Sequence, residues 1–424
     1  MSMQLDFIRH GLFISYLIGS VFLPVACADD WPRFRGPNGM GHAIETGLPL
    51  TWTEEDYRWK KELAGSGSSA PVIWGNRLFV TSCDADTAEF FIQCLDVATG
   101  KQLWKNRYSS QPYRLHRRNS YASSTPVVDE DHLYFAYASP EHTYLVALNH
   151  QGKEVWRRDF GRWVSMHGFG ASPMVYGDKV ILINSQQSDR LPPDVEPGRS
   201  RAIAVDRLTG QDAWTTQLGT TTANYSVPCV FSRDGQDQLI ACSTAEGFFS
   251  LDPDTGAFNW KTPAFRMRTV ASPVLEGNLL LGSTGSGGGG NYLVAARIGD
   301  QGVEKVYEVT QAANYVPSPI VCNGFVFLFS DKGIASCVKA ESGEVQWKKR
   351  IAKGFSGSPV AAAGHIYVMD EAGNVVVLAA TADFVEPNIH PLGETSRSTP
   401  AIANGHLYFR TDTQLFCLGS ATSD

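Results

Sequence analysis

Ser124-Thr125-Pro126-Val127-Val128 opens a unit that runs through Asn149-His150-Gln151-Gly152 to Trp156 and carries no helical stripe. Its apolar residues alternate with period two over about 126–129, 133–138, 144–148 and 154–159, with turns at Glu130-Asp131 and at residues 150–152. Such alternation, punctuated by turn residues, is the mark of short antiparallel strands. The opening motif, a small residue before Pro and then a β-branched or apolar pair, recurs at Pro71, Pro126, Pro173, Pro228, Pro273, Pro319, Pro359 and Pro400, with a mean step of 47 residues. A second landmark keeps phase with it. Gly100, Gly152, Gly210, Gly256 and Gly343 each precede a Trp by four residues (Trp104, Trp156, Trp214, Trp260, Trp347), and Gly302 precedes Tyr307 by five.

Eight four-stranded units of this length predict an all-β, eight-bladed propeller, because each unit is too small to close a core alone and must stack on its neighbours. The last unit runs 400–402, 406–411 and 415–418 and lacks a fourth strand. Tyr57-Arg58-Trp59-Lys60 stands where that strand's aromatic belongs, so the sequence predicts a ring closed by an N-terminal strand. The organisation read from the chain is a signal peptide over 1–28, an extension over 29–56, the propeller over 57–420 and a tail over 421–424. Trp59, Trp104, Trp156, Trp214, Trp260, Tyr307 and Trp347 read as wedges between blades, each worth about 2–4 kcal/mol of burial. The prolines read as extended lead-ins at the channel wall, where no ladder bond is needed from the nitrogen.

Composition narrows the function without choosing it. Charged residues make up 19% and the formal net charge is −7, which argues against a general nucleic-acid binder. Residues 12–23 form an apolar run too short to span a bilayer comfortably. Ala26-Cys27-Ala28 follows as a small–x–small cleavage pattern, so export is expected, with a mature chain from Asp29 that is not transmembrane. A lipoprotein-type signal would instead acylate Cys27 as a lipid anchor, although Pro24 stands where such a signal prefers Leu. Periplasm, cell envelope or secretion are the compartments this leaves. Export permits disulfides. The blade pattern offers Cys83–Cys94 and Cys229–Cys242 as candidate pairs on neighbouring strands, while Cys322 and Cys337 fall on strands too far apart.

Repeats of the form Asp-x-x-Thr-Gly-x-x-x-Trp, seen at Asp96–Trp104, Asp206–Trp214 and Asp252–Trp260, combine here with a small–Pro–Val strand. This combination resembles the eight-bladed propellers named after pyrroloquinoline quinone (PQQ). That superfamily includes quinoprotein alcohol dehydrogenases and the propeller lipoprotein of the outer-membrane β-barrel assembly machinery. Trp31-Pro32-Arg33-Phe34-Arg35-Gly36-Pro37-Asn38-Gly39-Met40-Gly41 resembles the start of exported PQQ-like repeat proteins of planctomycete-type bacteria. The quinoprotein branch of the resemblance implies PQQ with Ca²⁺ in the central channel, an Asp base and, in the alcohol dehydrogenases, a disulfide of adjacent cysteines. This chain has no Cys-Cys and no Cys-x-x-Cys-His.

No residue is therefore assigned a catalytic or metal-binding role. The expected function is a non-catalytic scaffold for an envelope protein or polysaccharide, with no nucleic-acid partner; the alternative is a PQQ-dependent or other carbohydrate- or alcohol-active enzyme. Residues leading into each inner strand are the candidate ligand-binding rim: Arg118, Tyr121, Arg162, His167, Asn224, Tyr225, Arg268, Asn314, Tyr315 and Arg397. Arginines gathered at a channel mouth would focus an anion despite the acidic total. Three departures from the repeat, at 105–118, 187–199 and 285–290, mark the loops where recognition is expected.

Overall fold

Why eight short units close into one ring is visible at their seams. The computed structural model describes residues 30–419, so the signal peptide, Cys27 and the tail lie outside the described residues. Each blade is a four-stranded antiparallel meander, counted here as blades 1 to 8 in chain order. In blade 2 the strands are Val127–Val128, His132–Ala138, Thr143–Asn149 and Glu154–Asp159. Blade 8 takes Ala401–Ala403, His406–Arg410 and Gln414–Leu418 from the C-terminus and Tyr57–Glu62 from the N-terminus. Trp59 pairs with Cys417 and Glu62 with Gln414, so the ends of the propeller share one sheet as expected.

The aromatic wedges act across the seams. The indole N–H of Trp104 donates to the His150 carbonyl of the next blade, that of Trp156 to Arg207, that of Trp214 to Pro253 and that of Trp59 to Val97, all at 2.9–3.0 Å. The Tyr307 hydroxyl reaches the Ala340 carbonyl in the same manner. The turn glycine therefore serves the Trp of the preceding blade, not the one that follows it in sequence. A Cβ on Gly210 would sit 2.7 Å from the Trp156 ring, and its φ of +70° also disfavours any side chain. Blade 4 departs from the rule, since Trp260 donates instead to Gln238 of its own blade. Blade 7 has no outer Trp. There Trp52, from the N-terminal segment, lies between His390 and Phe409 with ring centroids 3.6 and 5.8 Å away.

A second latch rings the channel. The hydroxyl of the residue before each blade's Pro accepts the backbone N–H of the equivalent residue one blade earlier. Ala70 donates to Thr125, Thr125 to Ser172, Val227 to Ser272, Ser272 to Ser318, Ser318 to Ser358 and Ser358 to Thr399, each at 2.9 Å. The two seams outside the series are those where Ala70 and Val227 bring no hydroxyl. At the first of them the buried Arg410 donates to the Ser69 carbonyl at 2.9 Å. At the second the Tyr225 hydroxyl donates to the Gly168 carbonyl at 2.8 Å. Ser272→Ala should strand the Val227 N–H in the core and cost about 1–3 kcal/mol in chemical denaturation, with the fold retained.

Residues 30–43 cross the channel as a plug. Trp31 bridges Ile73 of blade 1, and the Pro32 carbonyl accepts the Val128 N–H of blade 2. Arg33 reaches the Pro228 carbonyl of blade 4, Asn38 pairs with Val230, and Arg35 reaches the Pro319 carbonyl of blade 6 at 2.8 Å. Ala43 and Gly41 then exchange bonds with Ala361 of blade 7. Burial pushes Arg33 down to about 10 and Arg35 to about 9, so both stay charged at neutral pH. The inner-strand carbonyls they reach supply the polar contact that burial removes.

The strand register corrects the cysteine expectation. Cys94 lies opposite Phe79 and Cys83 opposite Phe90, while Cys229 lies opposite Ile240 and Cys242 opposite Phe248. Neither candidate pair is bridged, and all seven described cysteines are buried thiols in the blade cores. Burial raises the Cys94, Cys229 and Cys242 thiols to about 12, as for inert core groups.

Candidate functional site

With one end plugged, the channel becomes a chamber open at the other. Its volume is about 270 Å³. Phe34 of the plug forms its floor, and the latch residues Thr125, Ser172, Ser272, Ser318, Ser358 and Thr399 line its wall. Since those hydroxyls already accept inter-blade amides, the wall is rigid before any ligand arrives.

Six of the predicted rim residues do line this chamber: Arg118, His167, Tyr225, Arg268, Tyr315 and Arg397. The other four do not. Tyr121 packs edge-on to Tyr113 and donates to its carbonyl, and Arg162 turns outward to the Glu196 carbonyl. Asn224 is buried with its backbone N–H on Ser185, and Asn314 is fully buried, accepting the Ser283 hydroxyl at 2.8 Å. The recurrent Asn-Tyr pair thus splits, with Asn in the packing of the blade and Tyr on the chamber wall. The ten candidates did not include His116, Asn119, Phe34 and Asp331. Asp331 sits in the turn between Phe325–Phe329 and Ile334–Lys339, a hairpin that reaches the same mouth, so a search of hairpin tips would have found it.

The chamber's charge is carried by arginine. Arg118 lies 3.5 Å from Glu371, and Arg397 lies 3.8 Å from Asp412. Among the described residues Arg268 has no carboxylate within ion-pair distance; its side chain meets the Tyr315 hydroxyl. The Arg268 backbone is fixed, its carbonyl accepting the Gly285 N–H and the Thr284 hydroxyl at 3.0 Å. Burial raises the Asp331 carboxyl, the one acid on the lining. His116 and His167 stack 5.3 Å apart.

Burial, then the nearby Arg268, pushes His167 down to about 4. Between pH 6.5 and 4 the unfolded chain takes up a proton there that the folded chain refuses, so stability falls as pH falls through that window. The ring is partly exposed, which scales the expected loss to about 1 kcal/mol. His42, His150 and His406 are lowered by burial too and add to the same slope. Thermal melts from pH 7 to 4 should show this decline, and His167→Asn should flatten part of it.

Two of the three departures from the repeat reach this mouth, and the third lies beside it. Residues 109–126 deliver His116, Arg118 and Asn119, and the glycine-rich hairpin places Gly287 on the lining. The loop over 187–199 is bonded to Val164 and Met166, next to His167.

The calcium–PQQ arrangement implied by the quinoprotein branch does not fit these residues. Ca²⁺ takes six to eight oxygen ligands, mostly from carboxylates. The lining offers Asp331 amid three arginines, and no group of three or more His, Cys, Asp or Glu able to hold a metal occurs among the described residues.

A closed ring of eight four-stranded blades, latched by aromatics at the turn glycines, defines a PQQ-like eight-bladed β-propeller. A family model described as outer membrane protein assembly factor BamB matches residues 88–349 and 315–423, and the chain belongs to that family. A curated relative of that description from Yersinia pestis is 24% identical over 274 residues, covering 60% of this chain; the chain spans 64% of that relative's length. Among solved structures, BamB from Moraxella catarrhalis matches with a TM-score of 0.60 at 15% identity, over 86% of this chain and 99% of that one. A quinohemoprotein alcohol dehydrogenase from Comamonas testosteroni matches with a TM-score of 0.67 at 12% identity, over 93% and 82%. At such identities the structural likeness speaks for the fold alone.

Proposed function

We propose that the chain is an exported, non-catalytic propeller that works in the cell envelope as a docking scaffold for a protein partner in outer-membrane protein assembly. The observation that carries this reading is the placement of the three loop departures from the repeat on the mouth face of a ring fixed by two sets of latches. Arg114, His116 and Arg117 are exposed on the first of these loops and offer a partner charge and hydrogen bonds. Binding residues fall disproportionately on loops positioned by a rigid scaffold. Family membership supports the assembly role. The PQQ-dependent form of the enzyme alternative asks for a metal-and-quinone site that the arginine-lined chamber does not fit.

The test is made in the source organism. Loss of the gene should lower the amount of folded outer-membrane β-barrel protein, measured by heat-modifiable migration. The wild-type chain should restore it, whereas a chain with residues 109–118 shortened to a Gly-Ser turn should not, although that chain is exported and folded. Unchanged barrel content in the deletion strain would refute the assembly role.

A further inference from the structure

We propose that the chamber mouth is a binding site for a small organic oxyanion, held by Arg268, Arg397 and Arg118 above the ring of Phe34. Three observations converge on it. Arg268 is presented to the chamber with its backbone pinned and no carboxylate of its own. The Nε of Arg268, the Nε of Arg397 and the Nδ1 of His167 are buried and hydrogen-bond to nothing in the described residues. The two guanidinium N–H donors without acceptors on one lining are costly in a folded protein, and a ligand that accepts from them removes the cost. Finally, the chamber has a volume of about 270 Å³ and is blind because the plug closes its far end.

The chemistry of the donors selects the ligand. Guanidinium forks pair with carboxylate and phosphate oxygens in two parallel bonds, which a neutral sugar hydroxyl does not match. Tyr225, Tyr315 and Phe34 supply flat apolar surface beside those forks, so an organic body is favoured over a bare inorganic ion. The single lining acid, Asp331, accepts from Asn291 at 3.2 Å and stands on the hairpin side of the mouth. The site shares Arg118 with the first of the loops assigned to the protein partner, but anion binding is read on the chain alone, so it stands whether or not that partner is found.

Calorimetric titration of the whole exported chain tests the assignment, with citrate and glucose 6-phosphate as organic oxyanion probes, inorganic phosphate as the bare ion and glucose as the neutral control. One-site binding of an organic oxyanion with a dissociation constant below about 1 mM is expected, with no saturable heat from glucose. Inorganic phosphate should bind at least tenfold more weakly, and the affinity should fall as salt rises. Arg268→Gln should weaken binding at least tenfold, and Arg268→Lys, which keeps the charge but not the fork, should weaken it less. Arg266→Gln, on the exposed outer seam beside Glu308, should change nothing. If Arg268→Gln does not fold, Arg397→Gln and Arg268→Lys are held to the same tenfold and intermediate losses. No saturable binding of either organic probe up to about 10 mM, or equal affinity in the wild type and the chamber variants, would overturn the site.

Discussion

Removal of residues 30–52 from the exported chain should lower its melting temperature by about 10 °C. The segment looks like a leader to the propeller, yet it is part of the core. Trp31, Leu48 and Trp52 are at most 9% exposed, and burial of side chains of that size is worth about 1.5–3 kcal/mol each. Their loss, with the hydrogen bonds of Arg33 and Arg35 to the inner strands, amounts to about 6 kcal/mol. In a ring of this size that corresponds to roughly 1–2 °C per kcal/mol. The truncated chain should also lose oxyanion binding, because Phe34 leaves and the chamber opens at both ends. Differential scanning calorimetry checks the first effect and titration the second. A truncated chain that melts like the intact one would show that the plug is not part of the fold.

The second large effect is expected at a turn. Gly210→Val should cost about 3–5 kcal/mol, because the new side chain drives the Trp156 indole out of the blade 2–3 seam and faces a backbone φ of +70°. Gly277→Ala separates the two causes. Its φ is +56°, but nothing lies within 4 Å of the new Cβ, so only the backbone term of about 1–2 kcal/mol remains. Urea unfolding of both variants gives the comparison. Equal losses at the two positions would mean that the indole latch contributes little to the seam.

How far the chain could be read without its structure depended on whether the relevant signal was periodic. Blade number, strand order and ring closure follow from features repeated every 40 to 55 residues, and repetition makes them legible in one sequence. The Ser and Thr before the blade prolines were equally periodic, but their small size hid their role as acceptors for the neighbouring blade. The plug has no period. Arg35 finds the Pro319 carbonyl 284 residues away, and Trp52 stacks on His390 beside a blade 7 outer strand that carries Asn388 where most blades carry Trp. Cysteine pairing failed as a reading because a shift of a few residues in register places Phe79, not Cys83, opposite Cys94. At the chamber, position before an inner strand was the right guide for Arg118, Arg268 and Arg397. It could not say which way a side chain turns, so Arg162 and Asn314 were included although they bond to a neighbouring loop and to the blade interior.

The docking account is tested most directly by site-specific photo-crosslinking in cells. A photoreactive residue at Arg117, on the mouth face, is compared with one at Asn38, exposed on the plug face, and one at Lys348, exposed on an outer strand. The account predicts a single adduct with a protein of the outer-membrane assembly apparatus from position 117, and none from 38 or 348. Adducts from the plug face or an outer strand alone, or none at any position in cells where the chain is folded and exported, would contradict it.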